Sequence, residues 1–144
     1  MTQVRHVLEK KGKEVATVDR EASVLEAAQK MNERHIGAVL VLHQGKIAGI
    51  FTERDILNRV VAARKDPALT KVHEVMTSKV AVCSSDTPLE SCRTAMTRNK
   101  LRHLPVVDGD RLVGMISIGD LLAREIQEQE ETIRWLHEYM HGPN

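Results

Sequence analysis

The chain repeats itself, and that constrains its fold more than any other feature. "GIFTERDIL" begins at Gly49 and "GMISIGDLL" at Gly114, an offset of 65 (114 − 49). At that offset Val15-Ala16 meets Val80-Ala81, Val24 meets Leu89 and Met31 meets Met96. Ile36 meets Leu101, Val41 meets Val106, Asp55 meets Asp120 and Leu57 meets Leu122, with no gap from Val15 to Asp120. Self-similarity at a fixed period marks one supersecondary unit used more than once. The two copies span roughly 8–64 and 73–128, and only "KDPALTK" separates them, its Asp66-Pro67 a helix-stop signal. One copy alone buries too little surface to be comfortably stable. Two are expected to pack sheet against sheet around a shared core.

Both copies follow one order. A short apolar stretch comes first, "EVATV" or "KVAVC". An amphipathic helix follows, with Val24, Ala27, Ala28 and Met31 at helical spacing in one copy and Leu89, Cys92 and Met96 in the other. Two strands then flank a turn: "AVLVL" and "IAGIF" around "HQGK", "LPVV" and "LVGMI" around "DGDR". Asp108-Gly109 is a hairpin signal. A second helix closes each copy. The expected fold is α+β: two βαββα units packed with pseudo-two-fold symmetry, plus an extended C-terminal helix.

Each hairpin ends in the same short motif, Thr52-Glu53-Arg54-Asp55 and Ser117-Ile118-Gly119-Asp120, that is, [ST]-x-x-D at a strand-to-helix junction. One reading is a capping box, in which the hydroxyl caps the helix and the acid reaches back to a free amide. The other is a ligand corner. A helix N-terminus favours an anion such as phosphate. A fixed carboxylate can accept both hydroxyls of a ribose diol in short charge-assisted bonds. The duplication does not choose between them, because a cap would be duplicated too.

The paired motifs resemble the cystathionine-β-synthase (CBS) domains that occur in tandem as the Bateman module. The resemblance rests on "IGAVLVLHQGKIAGIFTERDIL", "LRHLPVVDGDRLVGMISIGDLL" and the entry segment "VHEVMTSKVAVC", with "VRHVL" a looser echo before the first copy. It spans residues 4 to 128. It implies domains at 4–66 and 72–128 with a helical extension at 129–144. It also implies a regulatory module rather than an enzyme, binding AMP, ADP, ATP, NAD or S-adenosylmethionine in two clefts between the copies, with no other cofactor. Carried over by position, Asp55 and Asp120 match the ribose acids and Thr52 and Ser117 the hydroxyl position, with Ile118 beside it. Ile36-Gly37, Leu104-Pro105, Val18 and Cys83 match the adenine-packing walls. Where the copies differ, Arg102-His103 replaces Gly37-Ala38, and Arg54 stands where Gly119 does. Arg102, His103 and Arg54 are therefore expected ligand contacts, each with an exposed surface charge as the alternative, and the two sites are expected to differ.

Beyond Asp120, the residues Leu122, Ile126, Gln129, Ile133, Leu136 and Met140 form a heptad-like stripe, flanked by Trp135 and Tyr139. The stripe either folds back or pairs with a second subunit; the resemblance implies a homodimer. The same helix carries His137-Glu138-Tyr139-Met140-His141, the H-E-x-x-H pattern of zinc peptidases. A catalytic zinc needs a third protein ligand. Only Gly142-Pro143-Asn144 follows, and Gly142-Pro143 is a helix stop. The expectation is no metal site, with metallopeptidase and purely structural dimer kept as alternatives. The net charge is +1 and aromatics are 2%, which argues against nucleic acid and anionic membranes. Cys83 and Cys92 form no CxxC pair and read as small core residues of a cytoplasmic protein. The polar start and the lack of a long apolar run argue against a signal peptide or a membrane span. The regulated partner is unknown.

Overall fold

The computed structural model describes residues 2–141. In order, the elements are α1 (Val4–Lys11), β1 (Thr17–Asp19), α2 (Val24–Arg34), β2 (Ala38–His43), β3 (Lys46–Thr52) and α3 (Glu53–Asp55), which widens into a π-helix (Ile56–Val61). Then follow α4 (Val72–Val75), α5 (Leu89–Asn99), β4 (His103–Asp108), β5 (Arg111–Ser117) and α6 (Ile118–His141). They form two compact units, residues 14–81 and residues 82–141 joined by the leader 2–13. The fold is α+β, as expected. No helix among the described residues is long and apolar enough to cross a membrane.

The first unit has a three-stranded sheet in the order β1-β2-β3, with β1 parallel to β2 and β2 antiparallel to β3. The hairpin turns at Gln44-Gly45, both at positive φ (52° and 78°), which suits the twist of a two-residue loop. Below the sheet, α2 buries Val24, Ala27 and Met31. Ser23 caps its start by accepting the Glu26 amide at 3.1 Å, and His35 ends it in the left-handed region. Phe51, Val39 and Val41 close the core.

The second unit repeats much of this. Helix α5 buries Cys92 and Met96 and also ends at a left-handed residue, Lys100, which aligns with His35. The β4–β5 hairpin carries its bulge between Val106 and Val107, aligned with the Val41/Leu42 bulge. The expected first strand is absent here. Only Cys83 bridges to Val106, through Cys83 N–H to Pro105 O (3.0 Å) and Val107 N–H to Cys83 O (2.8 Å). The cause lies across the ladder. In the first unit the Leu40 amide donates to Ala16 O at 3.1 Å. The aligned residue of the second unit is Pro105, which has no N–H to donate.

The helix closing the first copy also departs from expectation. After one α turn it becomes π-helical, with Ala62 N–H bonding Leu57 O and Lys65 N–H bonding Val60 O, both at 2.9 Å. This stretch buries Val60 and directs Arg59 to the last carbonyls of α4, Met76 O at 2.8 Å and Val75 O at 3.3 Å.

Packing boundaries and repeat boundaries differ. Residues 4–13, counted with the first copy in the sequence, sit in the second unit, where Val4, Val7 and Leu8 of α1 join Cys92, Leu104 and Ile116. Val4 N–H to Thr87 O (2.9 Å), Arg5 N–H to Ser85 O (3.0 Å) and Leu89 N–H to Thr2 O (3.0 Å) stitch them in. Residues 72–81, counted with the second copy, sit in the first unit, where Val72 and Val75 join Val39 and Phe51. Glycine makes both dockings possible. A Cβ on Gly114 would lie 2.7 Å from Leu8 Cδ2, and one on Gly49 would lie 2.6 Å from Met76 Sδ and 2.7 Å from Thr77 O.

Helix α6 buries only Leu121. From Glu128 to His141 it is exposed, so the apolar stripe does not fold back on its own unit.

Candidate functional site

Each unit builds one polar corner where the hairpin passes into a helix. In the first, the Asp55 amide donates to Thr52 Oγ1 (3.3 Å) and the Thr52 amide donates to Asp55 Oδ2 (3.0 Å). In the second, the Asp120 amide donates to Ser117 Oγ (3.2 Å) and the Ser117 amide to Asp120 Oδ2 (2.8 Å). Both are capping boxes, so that reading of [ST]-x-x-D holds in both copies. A cap does not use up a carboxylate, which has acceptor positions for about four bonds. Its effect is to hold the acid in one orientation.

The third partner separates the two corners. The Thr77 hydroxyl donates to Asp55 Oδ1 at 3.1 Å, and Asp55 is buried (6% exposed). Arg59 Nε lies 3.8 Å from the same oxygen. In the second unit the partner is the Lys11 ammonium, 2.6 Å from Asp120 Oδ2 and 2.8 Å from Met115 O. Asp120 is half-buried, its side chain 22% exposed.

Backbone pairing brings several sequence-identified residues to these corners. Ala38 pairs with Thr52 and His103 with Ser117 across the hairpins. Glu53 N–H bonds Gly37 O at 3.1 Å, and Ile118 N–H bonds Arg102 O at 2.9 Å. Ile36-Gly37 and Arg102-His103 therefore border the start of each helix. Ile36 and Ile118 lie half-buried against their cores. Arg54 and Arg102 are exposed, and the basic neighbour of Asp55 is Arg59 rather than Arg54. Pro105 pairs with Met115, two rows in from His103. Val18 pairs with Val41, and Cys83 bridges to Val106, both three rows in from the corner. Leu104 is in the core. Cys83 is buried, and its hydrogen bond with Cys92 together with burial pushes its thiol pKa far up, so it behaves as a packing residue.

Three neighbours escaped the sequence reading: Thr77, Lys11 and Arg59. Thr77 was within reach of it. Aligning "VRHVL" with "VHEVM" gives an offset of 68 (72 − 4) rather than 65, which places Met76 on Leu8 and so puts Thr77 just past the docking glycine. Lys11 was not, because its reach depends on α1 running to residue 11 while α4 stops at Val75.

His137 and His141 lie with ring centroids 4.6 Å apart and ring planes tilted by 47°. Among the described residues no three His, Cys, Asp or Glu side chains converge to hold a metal. The helix stop expected at Gly142-Pro143 lies outside the described residues.

A family profile for the CBS domain matches residues 4–62 and 72–126. The chain belongs to the CBS-domain family. It is 31% identical to the mitochondrial CBS domain-containing protein CBSX3 of Arabidopsis thaliana, across 98% of this chain and 73% of that one. It is 34% identical to the CBS domain-containing protein YhcV of Bacillus subtilis, across 81% and 82%. Among solved structures it resembles a protein with CBS domains from Burkholderia ambifaria, with TM-score 0.86, 40% identity, and coverage of 89% of this chain and 96% of that one. It also resembles the CBS domain pair of protein MJ0100, solved with 5′-methylthioadenosine and S-adenosyl-L-methionine, with TM-score 0.78, 27% identity, and coverage of 90% and 98%.

Proposed function

We propose that this CBS pair is a regulatory module that binds an adenosine-containing ligand, with Asp55 and Asp120 each accepting the hydroxyls of a ribose. The observation that carries the reading is the pair of aspartates, one per unit, each held by a capping box at the end of a hairpin. Support comes from the MJ0100 pair, whose two ligands share an adenosine moiety. Ile36, Gly37 and Val18 in the first unit and Cys83 and Pro105 in the second pack the base, with His103 and Ile118 beside the sugar and phosphates. Thr52, Ser117, Arg54 and Arg102 serve the sugar and phosphates. AMP, ADP, ATP, NAD and S-adenosylmethionine are the ligands to screen. Binding would act by favouring one conformation over another, and only through its differential affinity for the two.

Titration calorimetry with adenosine, AMP, ATP, NAD and S-adenosylmethionine tests the assignment. Each charged hydrogen bond to a ribose hydroxyl is worth on the order of 1.5–3 kcal/mol. Asp55→Asn and Asp120→Asn should therefore each weaken one site at least about tenfold. Unchanged affinity in both variants would sink the assignment.

The exposed stripe on α6 favours self-association, so we also propose a homodimer. Leu122 (50% exposed), Ile126, Ile133 (66%) and Met140 form an apolar line on a helix that is exposed from Glu128 to His141. Trp135 and Tyr139 stack beside it, with centroids 5.5 Å apart. Sedimentation of wild type against Ile133→Asp tests this, and a wild-type monomer at all concentrations would end it. The free, buried cysteines fit a reducing compartment such as the cytoplasm.

A further inference from the structure

The acid of the second corner already has a cation. Lys11 Nζ lies 2.6 Å from Asp120 Oδ2, the same oxygen that accepts the Ser117 amide, and 2.8 Å from Met115 O. It comes from the end of α1, which is anchored by Leu8 against Gly114 and closed by the Gly12 amide bonding Leu8 O at 2.7 Å. The ammonium is therefore placed by the packing of its helix and does not merely drift near the acid. The first unit differs: Asp55 takes the neutral hydroxyl of Thr77 at 3.1 Å, and its cation, Arg59, stands farther off at 3.8 Å and comes from the helical turn that follows the acid rather than from a leader.

We propose that Lys11 is an internal competitor for the diol-binding acid of the second unit. This rests on the reading of Asp120 as a ribose acid. A diol that takes both oxygens of Asp120 must share Oδ2, which already accepts from the Ser117 amide and the Lys11 ammonium, so ligand entry displaces Lys11. The displaced ammonium loses both the carboxylate and the Met115 carbonyl. Binding at Asp120 is thereby coupled to release of the end of α1, while binding at Asp55 is not.

Adenosine is the probe, because without phosphates it reads only the contest for the acid. An exposed or half-buried ion pair is worth up to about 1 kcal/mol. Lys11→Met, which keeps most of the stem but not the charge, should tighten adenosine binding at the Asp120 site about fivefold, while Lys11→Arg should leave it near wild type. Raising the salt concentration weakens the ion pair, so it should tighten adenosine binding in the wild type and not in Lys11→Met. An Asp55→Asn background isolates the second site. Should that variant fold poorly, the unsubstituted protein supplies a second readout: acetylation of Lys11, followed by mass spectrometry, should speed up when adenosine saturates. Unchanged or weaker binding in Lys11→Met, or acetylation that ignores bound adenosine, would overturn the proposal. Adenosine binding that survives Asp120→Asn unaltered would instead overturn the ribose-acid reading beneath it.

Discussion

The Thr52–Asp55 and Ser117–Asp120 corners share a frame and differ in what leans on it. The frame is the capping box, and both copies keep it because each helix start has orphan amides to satisfy. The leaning group comes from the leader segment, a half-buried hydroxyl from Thr77 in one unit and an exposed ammonium from Lys11 in the other. A duplicated strand-and-helix scaffold thus carries two unlike sites, because the leaders align only loosely and differ in helical length. The docking glycines show the same contrast. Gly49 faces a backbone carbonyl and a thioether, Gly114 a leucine tip.

The sharpest way to break this comparison is to fill both glycines. Gly49→Ala pushes on Thr77 O, which is fixed by its bond from the Ile50 amide at 2.9 Å. It should cost about 3 kcal/mol by urea denaturation, near the top of the overpacking range. Gly114→Ala meets only the movable end of Leu8 and should cost about 1 kcal/mol. Equal losses would mean that the two leaders dock alike. Next come the acids. Asp55→Ala strands the Thr52 amide and the Thr77 hydroxyl around a buried site, for about 2–3 kcal/mol. Asp120→Ala breaks a cap and a half-exposed ion pair, for about 1 kcal/mol. Thermal melts that rank them the other way would refute the burial contrast. Thr77→Val isolates one neutral bond and should cost about 1 kcal/mol. The smallest effect concerns the missing strand. Pro105→Leu restores a strand amide at this position, and hydrogen exchange should then show it protected, with stability changed by only about 0.5 kcal/mol.

Much of the fold was legible because it rests on local chemistry. The offset of 65 aligned the two hairpins, and Gly45 and Gly109 do turn them at positive φ. The helical spacing of Val24, Ala27 and Met31 named the buried face of α2 correctly. The missing strand was in principle visible as a proline aligned with Leu40, since the absent amide is a property of the residue itself. The exchange of leaders was not. Val4, Val7 and Leu8 match Val72, Val75 and Met76 in apolar character, so hydrophobic pattern cannot say which core receives which. The [ST]-x-x-D corners were readable, while their third partners depend on where each leader ends in space. The π-helical widening after Asp55 has no composition cue in "ILNRVV".

The traded leaders set an order of assembly. Every segment of the 14–81 unit is contiguous in the chain, so that unit can close as soon as residue 81 leaves the ribosome. Helix α1 is synthesised before the 14–81 unit, yet its partners Cys92, Leu104 and Ile116 come roughly eighty or more residues later. Its contacts are among the most distant in the molecule, and closing them carries the entropy of the longest loops. Until then Val4, Val7 and Leu8 remain uncovered. A helix made ahead of both cores thus docks late, and the Lys11–Asp120 pair forms only after residue 120 has been made.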